Sequence, residues 1–194
     1  MTLTERYDKL CATPSSINEH LPTLRNYASR CKSVAEFGVD IGQSTTAFLM
    51  SDTDILISID VIQKPELEEL FRLATEIIRP QLEPIDCRIG KTRWLFALED
   101  TKTNRIPDVD ILFIDSSHCY DHIKAELERH HAQVRRWMIC HDTIAYGEFG
   151  EAGPPQVGIV PAIEEFLAAH PEWVVRERLL HNNGMWIMER VNAS

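Results

Sequence analysis

The sequence lacks the cysteine pattern of a disulfide-stabilised protein. Its five cysteines are scattered, with no CxxC pair and no regular spacing, and their number is odd. Two of them stand inside apolar runs, which is typical of buried free thiols. We therefore predict a reducing compartment and no disulfide framework.

Long apolar runs and an excess of positive charge are also missing. No stretch approaches the ~18 apolar residues that a membrane span needs, and residues 1–10 carry charges where a signal peptide has an apolar segment. The formal net charge is −10, which would repel a phosphate backbone. We expect a cytoplasmic protein whose partners include neither a membrane nor nucleic acid.

What the chain does contain is the alternating pattern of an α/β domain. Its 194 residues, 44% of them hydrophobic, suit a single domain over 1–194. Short apolar runs alternate with helix-period segments, which predicts a doubly wound, Rossmann-like sheet. Helices are predicted in the N-terminal segment 1–32, where Ser16 and Glu19 have capping-box spacing, and at 44–50, 65–78, 94–98, 121–134 and 161–169.

The predicted sheet has seven strands and is mostly parallel. The strands are expected at 33–37, 55–59, 85–89, 110–114, 137–140, 173–180 and 185–190. The last two form a hairpin around Asn183 and Gly184, which adds an antiparallel C-terminal strand. Residues 143–158 contain four glycines and two prolines, and predict a long mobile loop.

A glycine-bearing turn follows the first predicted strand. It reads Glu36-Phe37-Gly38-Val39-Asp40-Ile41-Gly42-Gln43-Ser44. Glycines allow a tight turn and a close approach of the backbone to a ligand, and the helix that begins near Ser44 offers free N–H groups. A dinucleotide-binding turn uses such a helix end for a pyrophosphate, which Glu36 and Asp40 would repel. The charges favour S-adenosylmethionine, whose ammonium and sulfonium groups are positive, although the Gly-x-x-x-Gly pattern alone is equally that of an ordinary tight turn.

An acid, Asp60, ends the second predicted strand about 20 residues after the turn. A carboxylate at this position accepts hydrogen bonds from ribose hydroxyls. The alternative is an N-cap for the next helix, which Pro65 disfavours because it implies a later start.

Together with two further segments, these residues resemble the class I S-adenosylmethionine-dependent methyltransferases. The segments are Ile114-Asp115-Ser116-Ser117-His118-Cys119-Tyr120 and Cys140-His141-Asp142-Thr143. The resemblance covers 33–190 and is greatest to a branch with macrolide-sugar O-methyltransferases and proteins labelled cephalosporin hydroxylases, although Asp40 stands where the commoner pattern has glycine.

This resemblance implies S-adenosyl-L-methionine as the cofactor and a set of residues that bind it. Gly38, Gly42 and Ser44 would hold the methionine end, and Asp60 the ribose. Residues near Gly90 would lie on the adenine side. Glu36 and Asp115 complete the cofactor-binding set.

The resemblance also gives roles to the polar residues that end the fourth and fifth parallel strands. Asp115, His141 and Asp142 stand where relatives hold a divalent cation, expected to be Mg²⁺ or Mn²⁺, and His118 stands at the position of the catalytic base. The chemistry fits, because a metal ion lowers the pKa of a hydroxyl and a base removes its proton before the oxygen attacks the methyl group. Histidine in place of the usual carboxylate at position 141 would favour Mn²⁺, Fe²⁺ or Zn²⁺ over Mg²⁺. The alternatives are His141 as an outer partner, a site without metal, Asp115 as a turn cap and His118 as a surface residue.

The predicted function is methyl transfer to a hydroxyl of a small molecule, such as a sugar or another secondary metabolite. A metal-dependent hydroxylase-like enzyme and a non-catalytic methyltransferase-like binding subunit are the alternatives. Tyr146, Glu148 and Phe149 in the long loop are expected to cover the acceptor. A homo-oligomer is compatible with each of these functions.

Three other histidines are weaker candidates. His20 is assigned with Asn18 and Glu19 to a helix cap and a solvated face of the N-terminal helix, and the alternative is that this helix lies over the mouth of the cofactor site, as it can in related folds. His130 and His131 lie near the end of a helix, where positive charge is favourable. Because adjacent helical residues diverge, they are not expected to bind a metal together.

Overall fold

The structure is a computed structural model that describes residues 1–79 and 84–191, in which one sheet of nine strands runs through the fold. The strands are β1 (Ser33–Phe37), β2 (Ile55–Asp60), β3 (Glu76–Arg79), β4 (Ile85–Ile89), β5 (Thr92–Leu98), β6 (Val109–Ile114), β7 (Val134–His141), β8 (Trp173–Leu179) and β9 (Met185–Arg190). Their order is β3-β4-β5-β2-β1-β6-β7-β9-β8. The central five, from β5 to β7, pair in parallel, and an antiparallel pair lies outside them on each side. The carboxyl ends of the five parallel strands therefore meet at one edge, called the carboxyl edge below.

Helices cover both faces of the sheet. They are α1 (Leu3–Ala12), α2 (Leu21–Ala28), α3 (Gln43–Leu49), α4 (Glu68–Phe71), α5 (Tyr120–His130) and α6 (Val160–Ala169), with short 3-10 helices at Pro65–Leu67 and His131–Gln133. Because side chains alternate along a strand, neighbouring residues of β1 enter different cores. Val34 packs with the α1 to α4 side, and Ala35 packs with the α5 and α6 side. The doubly wound α/β arrangement follows from strands that are apolar on both faces.

The predicted seven-stranded sheet is too small by two strands in the part of the chain that is described. The helix predicted at 65–78 is a 3-10 turn followed by the single turn of α4, and the chain then enters β3. Its apolar residues Leu67 and Leu70 are buried as the helical period requires. Beyond them the β-branched residues Thr75 and Ile77 favour a strand, and the Thr75 N–H donates to the Arg88 carbonyl to begin the pairing with β4.

The helix predicted at 94–98 is also wrong, because this segment is part of β5. Trp94 and Phe96 are fully buried and alternate with less buried neighbours, a period of two that marks a strand. The sequence predicts that 85–89 is one of the five parallel strands, but β5 takes that place beside β2. The strand at 85–89 exists as β4 but runs antiparallel to β5, joined to it by a turn at Gly90 with φ +60°.

The N-terminal segment contains two helices, and the capping box belongs to the first. Thr2 and Glu5 exchange the two hydrogen bonds of a capping box at the start of α1. α2 has His20 at its N-cap position without a side-chain cap, and Ser16 has no such role. The parallel strands at 33–37, 55–59, 110–114 and 137–140, the helices at 44–50, 121–134 and 161–169, and the terminal hairpin are confirmed to within a few residues.

Residues 143–158 have no regular helix or strand, as predicted, but they are internally hydrogen-bonded. Phe149 and Val157 form an isolated bridge, and the Gly158 N–H donates to the Glu148 carbonyl. The five cysteines are unpaired, and no helix in the described ranges has the length and apolar character to cross a membrane. The predicted domain 1–194 includes residues 80–83 and 192–194, which lie outside the described residues.

Candidate functional site

The turn after β1 brings the ends of β1, β2 and β6 into contact. Gly38 has φ +81°, and a Cβ at this residue would lie 2.0 Å from the carbonyl oxygen of Asp115. The Asp60 carboxylate at the end of β2 accepts hydrogen bonds from the N–H groups of Val39 and Asp40 at 2.8 and 3.1 Å. Only glycine permits this approach, so Gly38 allows Asp60 and Asp115 to stand on either side of the turn.

Gly42 and Ser44 support the turn from behind. Gly42 precedes α3 with φ +78°, and a Cβ there would meet the side chains of Leu70 and Leu67 at 2.7 and 2.9 Å. Ser44 donates a hydrogen bond from Oγ to Glu36 at 2.5 Å, and lines a small recess at the carboxyl edge. The structure therefore places Gly42 against the hydrophobic core and Ser44 between the core and the recess.

Glu36 lies in the core beneath the turn and does not line the cavity that opens at the carboxyl edge. Its fully buried carboxylate accepts hydrogen bonds from the hydroxyls of Ser44, Thr45 and Ser58, at 2.5, 2.8 and 2.6 Å. Burial raises the pKa of Glu36 to about 7, although the hydroxyl hydrogen bonds oppose the rise. The expected attraction of Glu36 for a cationic ligand is not supported, because its contacts tie β1 to α3 and β2.

A cavity of about 450 Å³ opens at the carboxyl edge. Its lining includes six carboxylate side chains, one lysine and two histidines among the described residues: Asp40, Asp60, Glu99, Asp115, Asp142, Glu151, Lys64, His118 and His122. Val61 and Ile62 add an apolar wall, and both are exposed, at 67% and 61%. The cavity therefore combines negative charge with an apolar surface at its β2 side.

Gly90 is far from this cavity. β5 runs parallel to β2, with Arg93 opposite Ile55 and Leu98 opposite Asp60, so Gly90 lies before the amino end of β5. The structure does not bring Gly90 together with the other residues predicted to bind the cofactor, because 85–89 runs antiparallel to β5. Glu99 follows the carboxyl end of β5 and lines the cavity in its place, with its N–H donating to the Asp60 carbonyl.

His118 lies between three carboxylates. Its Nε2 is 3.1 Å from Asp115 Oδ1 and 3.0 Å from Asp142 Oδ2, and its Nδ1 is 2.7 Å from Glu151 Oε1. Burial disfavours the charged ring, but the hydrogen bonds to Asp115 and Asp142 outweigh it and raise the pKa of His118 to about 10. Tyr146 stacks on the ring with centroids 4.8 Å apart. In this arrangement His118 is an imidazolium at neutral pH, and an imidazolium has no lone pair with which to accept a proton.

His141 joins the same cluster from the end of β7. Its Nδ1 lies 3.2 Å from Asp115 Oδ1 and 3.3 Å from Asp142 Oδ1, and its Nε2 lies 3.1 Å from His20 Nδ1. Burial opposes the charge, but Asp115 raises the pKa of His141 above its usual range. The pKa of His20 falls to about 4, chiefly through burial and also through His141, so His20 is neutral.

His20 is the residue that the sequence prediction most clearly misplaces. It is fully buried against His141 and His181, with ring centroids 5.2 and 4.8 Å away, instead of lying on a solvated face. No local pattern predicts this contact, because His20 and His141 are 121 residues apart.

The residues predicted to hold a metal are brought together, with His118 added to them. Donor atoms of Asp115, His118 and Asp142 all lie within 4.8 Å of one another. Neighbouring ligands of a six-coordinate ion with bonds of about 2.1 Å are about 3 Å apart, which matches the 3.0 and 3.1 Å separations from His118 Nε2. Two carboxylates and an imidazole therefore fit a divalent ion, and His141 Nδ1 is close enough to serve as a further ligand or as a donor to Asp115.

Two residues from distant loops, Asn183 and Glu151, form hydrogen bonds with this cluster. Asp142 has φ +61°, and its Oδ1 accepts a hydrogen bond from Asn183 Nδ2 at 2.8 Å. The Asn183-Gly184 turn, predicted only as a hairpin signal, thus orients Asp142. Glu151, in the loop 143–158, reaches His118, whereas Phe149 of that loop is 44% exposed.

No protein-family model and no curated protein matches the sequence. The fold is similar to that of Burkholderia thailandensis 1,6-didemethyltoxoflavin-N1-methyltransferase, solved with 1,6-didemethyltoxoflavin and S-adenosylhomocysteine, with a TM-score of 0.63 and 15% identity over 92% of this chain and 79% of that one. A Bacillus cereus O-methyltransferase in complex with S-adenosylhomocysteine gives 0.62 at 16% identity, over 98% and 90% of the two chains. A Corynebacterium glutamicum protein from structural genomics gives 0.67 at 16% identity, over 99% and 91%. The chain has the α/β fold of these three structures, two of which are methyltransferases.

Proposed function

We propose that this protein is an S-adenosylmethionine-dependent methyltransferase that methylates a hydroxyl of a small molecule. The observation that carries the proposal is the acid-lined cavity at the carboxyl edge, on a fold shared with methyltransferases that were solved with S-adenosylhomocysteine. Open α/β sheets bind their ligands at this edge. A lining of six carboxylates and one lysine favours a ligand with positive groups over one with phosphates.

The cofactor would lie across the turn after β1. Asp60 would accept a hydrogen bond from a ribose hydroxyl while it continues to hold the turn, since three backbone N–H groups use three of the four lone pairs of its carboxylate and leave one on Oδ1. Val61 and Ile62 would contact the adenine, with Glu99 at its polar edge. Gly38, Ser44 and Asp115 would surround the methionine end, next to the recess that these three residues line.

The acceptor would bind at the cluster of Asp115, His118 and Asp142. Asp115, Asp142 and His141 would hold a divalent ion, Mg²⁺ or Mn²⁺, which would bind the acceptor oxygen and lower its pKa, while Nε2 of His118 would stay free of the ion. Once Asp115 and Asp142 face another cation, the cause of the raised pKa of His118 is removed. Its Nε2 then accepts the hydroxyl proton, the oxygen forms a bond to the methyl carbon, and the carbon–sulfur bond breaks to leave neutral S-adenosylhomocysteine. Tyr146 would keep the ring in place through stacking.

Calorimetric titration tests the cofactor assignment. S-adenosylmethionine and S-adenosylhomocysteine should bind, whereas NAD⁺ and ATP should not. Asp60→Asn should weaken binding by about 10- to 100-fold, because the hydrogen bond to a charged group contributes about 1.5–3 kcal/mol. Asp54→Asn is the matched control, since Asp54 is exposed at the other end of β2. If neither S-adenosylmethionine nor S-adenosylhomocysteine binds at millimolar concentration, the cofactor assignment is wrong.

A second experiment separates the enzyme from its alternatives. With an acceptor identified by transfer of a labelled methyl group, His118→Ala should leave S-adenosylhomocysteine binding intact and abolish turnover. Chelation should stop turnover, and Mg²⁺ or Mn²⁺ should restore it. Undiminished turnover in chelator would exclude the metal, and cofactor binding without turnover on any acceptor would favour a binding subunit. A hydroxylase-like enzyme would instead consume O₂ with Fe²⁺ at the same cluster.

A further inference from the structure

A second cluster of metal-ligating side chains lies outside the cavity, where α5 and α6 end. Donor atoms of Glu128, His131 and His170 all lie within 4.8 Å of one another. His131 precedes the amino end of β7, whereas the cavity lies beyond its carboxyl end. Eight strand residues at about 3.3 Å each separate the two sites by more than about 20 Å. The cluster is therefore independent of the proposed methyltransferase chemistry.

The contacts of His170 resemble those of a metal-bound histidine. Its Nε2 lies 3.3 Å from Glu128 Oε2, and its Nδ1 lies 3.4 Å from Glu172 Oε1. Metal-ligating histidines commonly donate the N–H of the second ring nitrogen to a carboxylate, which fixes the ring and its tautomer. Glu172 is placed for that role, which leaves Nε2 directed at Glu128.

His131 supplies an independent observation. Its Nδ1 is shielded from solvent, and no group in the described ranges forms a hydrogen bond with it. The nearest carboxylate oxygen, Glu172 Oε1, is 3.9 Å away, too far for a hydrogen bond. In the tautomer that carries its proton on Nε2, this Nδ1 has a lone pair that a cation could use. His130 diverges from it as expected, since its Nε2 lies 2.7 Å from the Thr101 carbonyl oxygen.

We propose that Glu128, His131 and His170 form a binding site for a late first-row divalent ion, with Zn²⁺ as the favoured occupant. Two imidazoles and a carboxylate suit Zn²⁺, Cu²⁺ or Ni²⁺ better than Mg²⁺ or Ca²⁺, which prefer oxygen ligands. Tetrahedral zinc with bonds of about 2.1 Å places its ligands about 3.4 Å apart, close to the separation of His170 Nε2 and Glu128 Oε2. The remaining closure is at most about 1.5 Å, within reach of side-chain rotation for a glutamate that is 46% exposed.

The site also has a rigid support and access to solvent. Phe166 of α6 stacks on His170, with centroids 4.4 Å apart, and contacts His131 edge-on at 5.5 Å. The two histidine side chains are each 19% exposed and Glu128 is 46% exposed, so the cluster borders solvent although His131 Nδ1 itself is covered. Binding would connect the end of α5 to the end of α6.

Zinc titration by calorimetry tests the site, with wild type compared to the double variant His131→Asn and His170→Asn. The cavity cluster and the five cysteines are present in both, so their contribution cancels in the difference. Wild type should bind one more equivalent of Zn²⁺ than the double variant. Co²⁺ should give visible absorption bands in wild type that the double variant lacks. Equal stoichiometry and affinity in the two proteins would overturn the proposal.

Single variants keep the test sharp if the double variant folds poorly. Glu128→Gln should weaken the extra Zn²⁺ by at least about 10-fold, and Glu172→Gln by about 10-fold through loss of the partner of His170. Glu164→Gln, at an exposed position of α6, is the matched control and should bind as wild type does. All of these variants should bind S-adenosylhomocysteine as wild type does, which separates this site from the cofactor cavity. If Glu128→Gln binds Zn²⁺ as tightly as Glu164→Gln does, the assignment is wrong.

Discussion

The buried carboxyl group of Glu36 should make the stability of this protein fall as the pH rises. Its pKa is about 7 in the folded protein, compared with 4.5 for an ordinary glutamate, because burial disfavours the ionised form. A group whose pKa is raised on folding contributes its full stability below pH 4.5 and loses it as the pH rises through about 7. At about 1.4 kcal/mol per pKa unit the whole loss is about 3 kcal/mol. About 2 kcal/mol of it falls between pH 5.5 and 8.0, a range above the isoelectric point of about 5.2.

Glu36→Gln removes this titration and keeps a side chain that can accept hydrogen bonds from the surrounding hydroxyls. Urea unfolding, followed by tryptophan fluorescence at several pH values, gives the free energy of unfolding of each variant. The value for Glu36→Gln minus that for wild type should rise by about 2 kcal/mol from pH 5.5 to 8.0. Glu164→Gln, an exposed control, should show no such trend. Parallel curves for Glu36→Gln and wild type would show that the three hydroxyls stabilise the carboxylate fully, and would refute the reasoning.

Two further changes test the turn and the cluster. Gly38→Ala should cost about 3–5 kcal/mol of unfolding free energy, because its Cβ would meet the Asp115 carbonyl. Gly90 also has a positive φ, +60°, but a Cβ there would meet nothing within 4 Å, so Gly90→Ala should cost only about 1–2 kcal/mol of unfolding free energy and leave S-adenosylhomocysteine binding unchanged. Equal losses of unfolding free energy for the two variants in urea would contradict the contact at Gly38. Asn183→Ala removes the hydrogen bond to Asp142 and should weaken Mn²⁺ binding at the cavity by about 10- to 100-fold in a calorimetric titration; unchanged affinity would mean that Asp142 is not oriented by this turn.

The parts of the fold that sequence periodicity predicts correctly are those in which local pattern and burial agree. β1 is buried over its whole length and β6 at every residue except Asp110, because both faces of the parallel centre are covered. The helix predictions at 65–78 and 94–98 are wrong because the apolar spacing of these segments is compatible with both a helix and a strand. Leu67, Leu70 and Phe71 do form an apolar face, but Phe71 stacks on Trp94 of β5, and the chain beyond it pairs with β4. That choice depends on strands that are distant in sequence.

The candidate site shows the same division between local and long-range information. Asp60, Asp115 and Asp142 end parallel strands or directly follow them, so strand order alone predicts that they meet at the carboxyl edge. The partners that orient them come from elsewhere in the chain. His20 lies before α2, and Asn183 lies in the last hairpin turn, and neither position carries a strand-end signal. Strand patterns can therefore predict the central carboxylates but not the side chains that set their direction.

The negative charge of Glu36 and Asp60 does not by itself predict which of the two residues faces the cavity. Asp60 ends β2 and Glu36 is the penultimate residue of β1, yet Glu36 is enclosed by hydroxyls and Asp60 is held at the cavity by backbone N–H groups. Glu36 can contribute little charge to a ligand, because its pKa of about 7 leaves it partly protonated near neutrality. Any attraction of the cavity for a cation must therefore come from Asp60 and from the acids that line the cavity with it. Lys64 is paired with Asp40, and the protonated His118 with Asp115, Asp142 and Glu151, so among the described lining residues Asp60 and Glu99 are the carboxylates that remain for a ligand with positive groups.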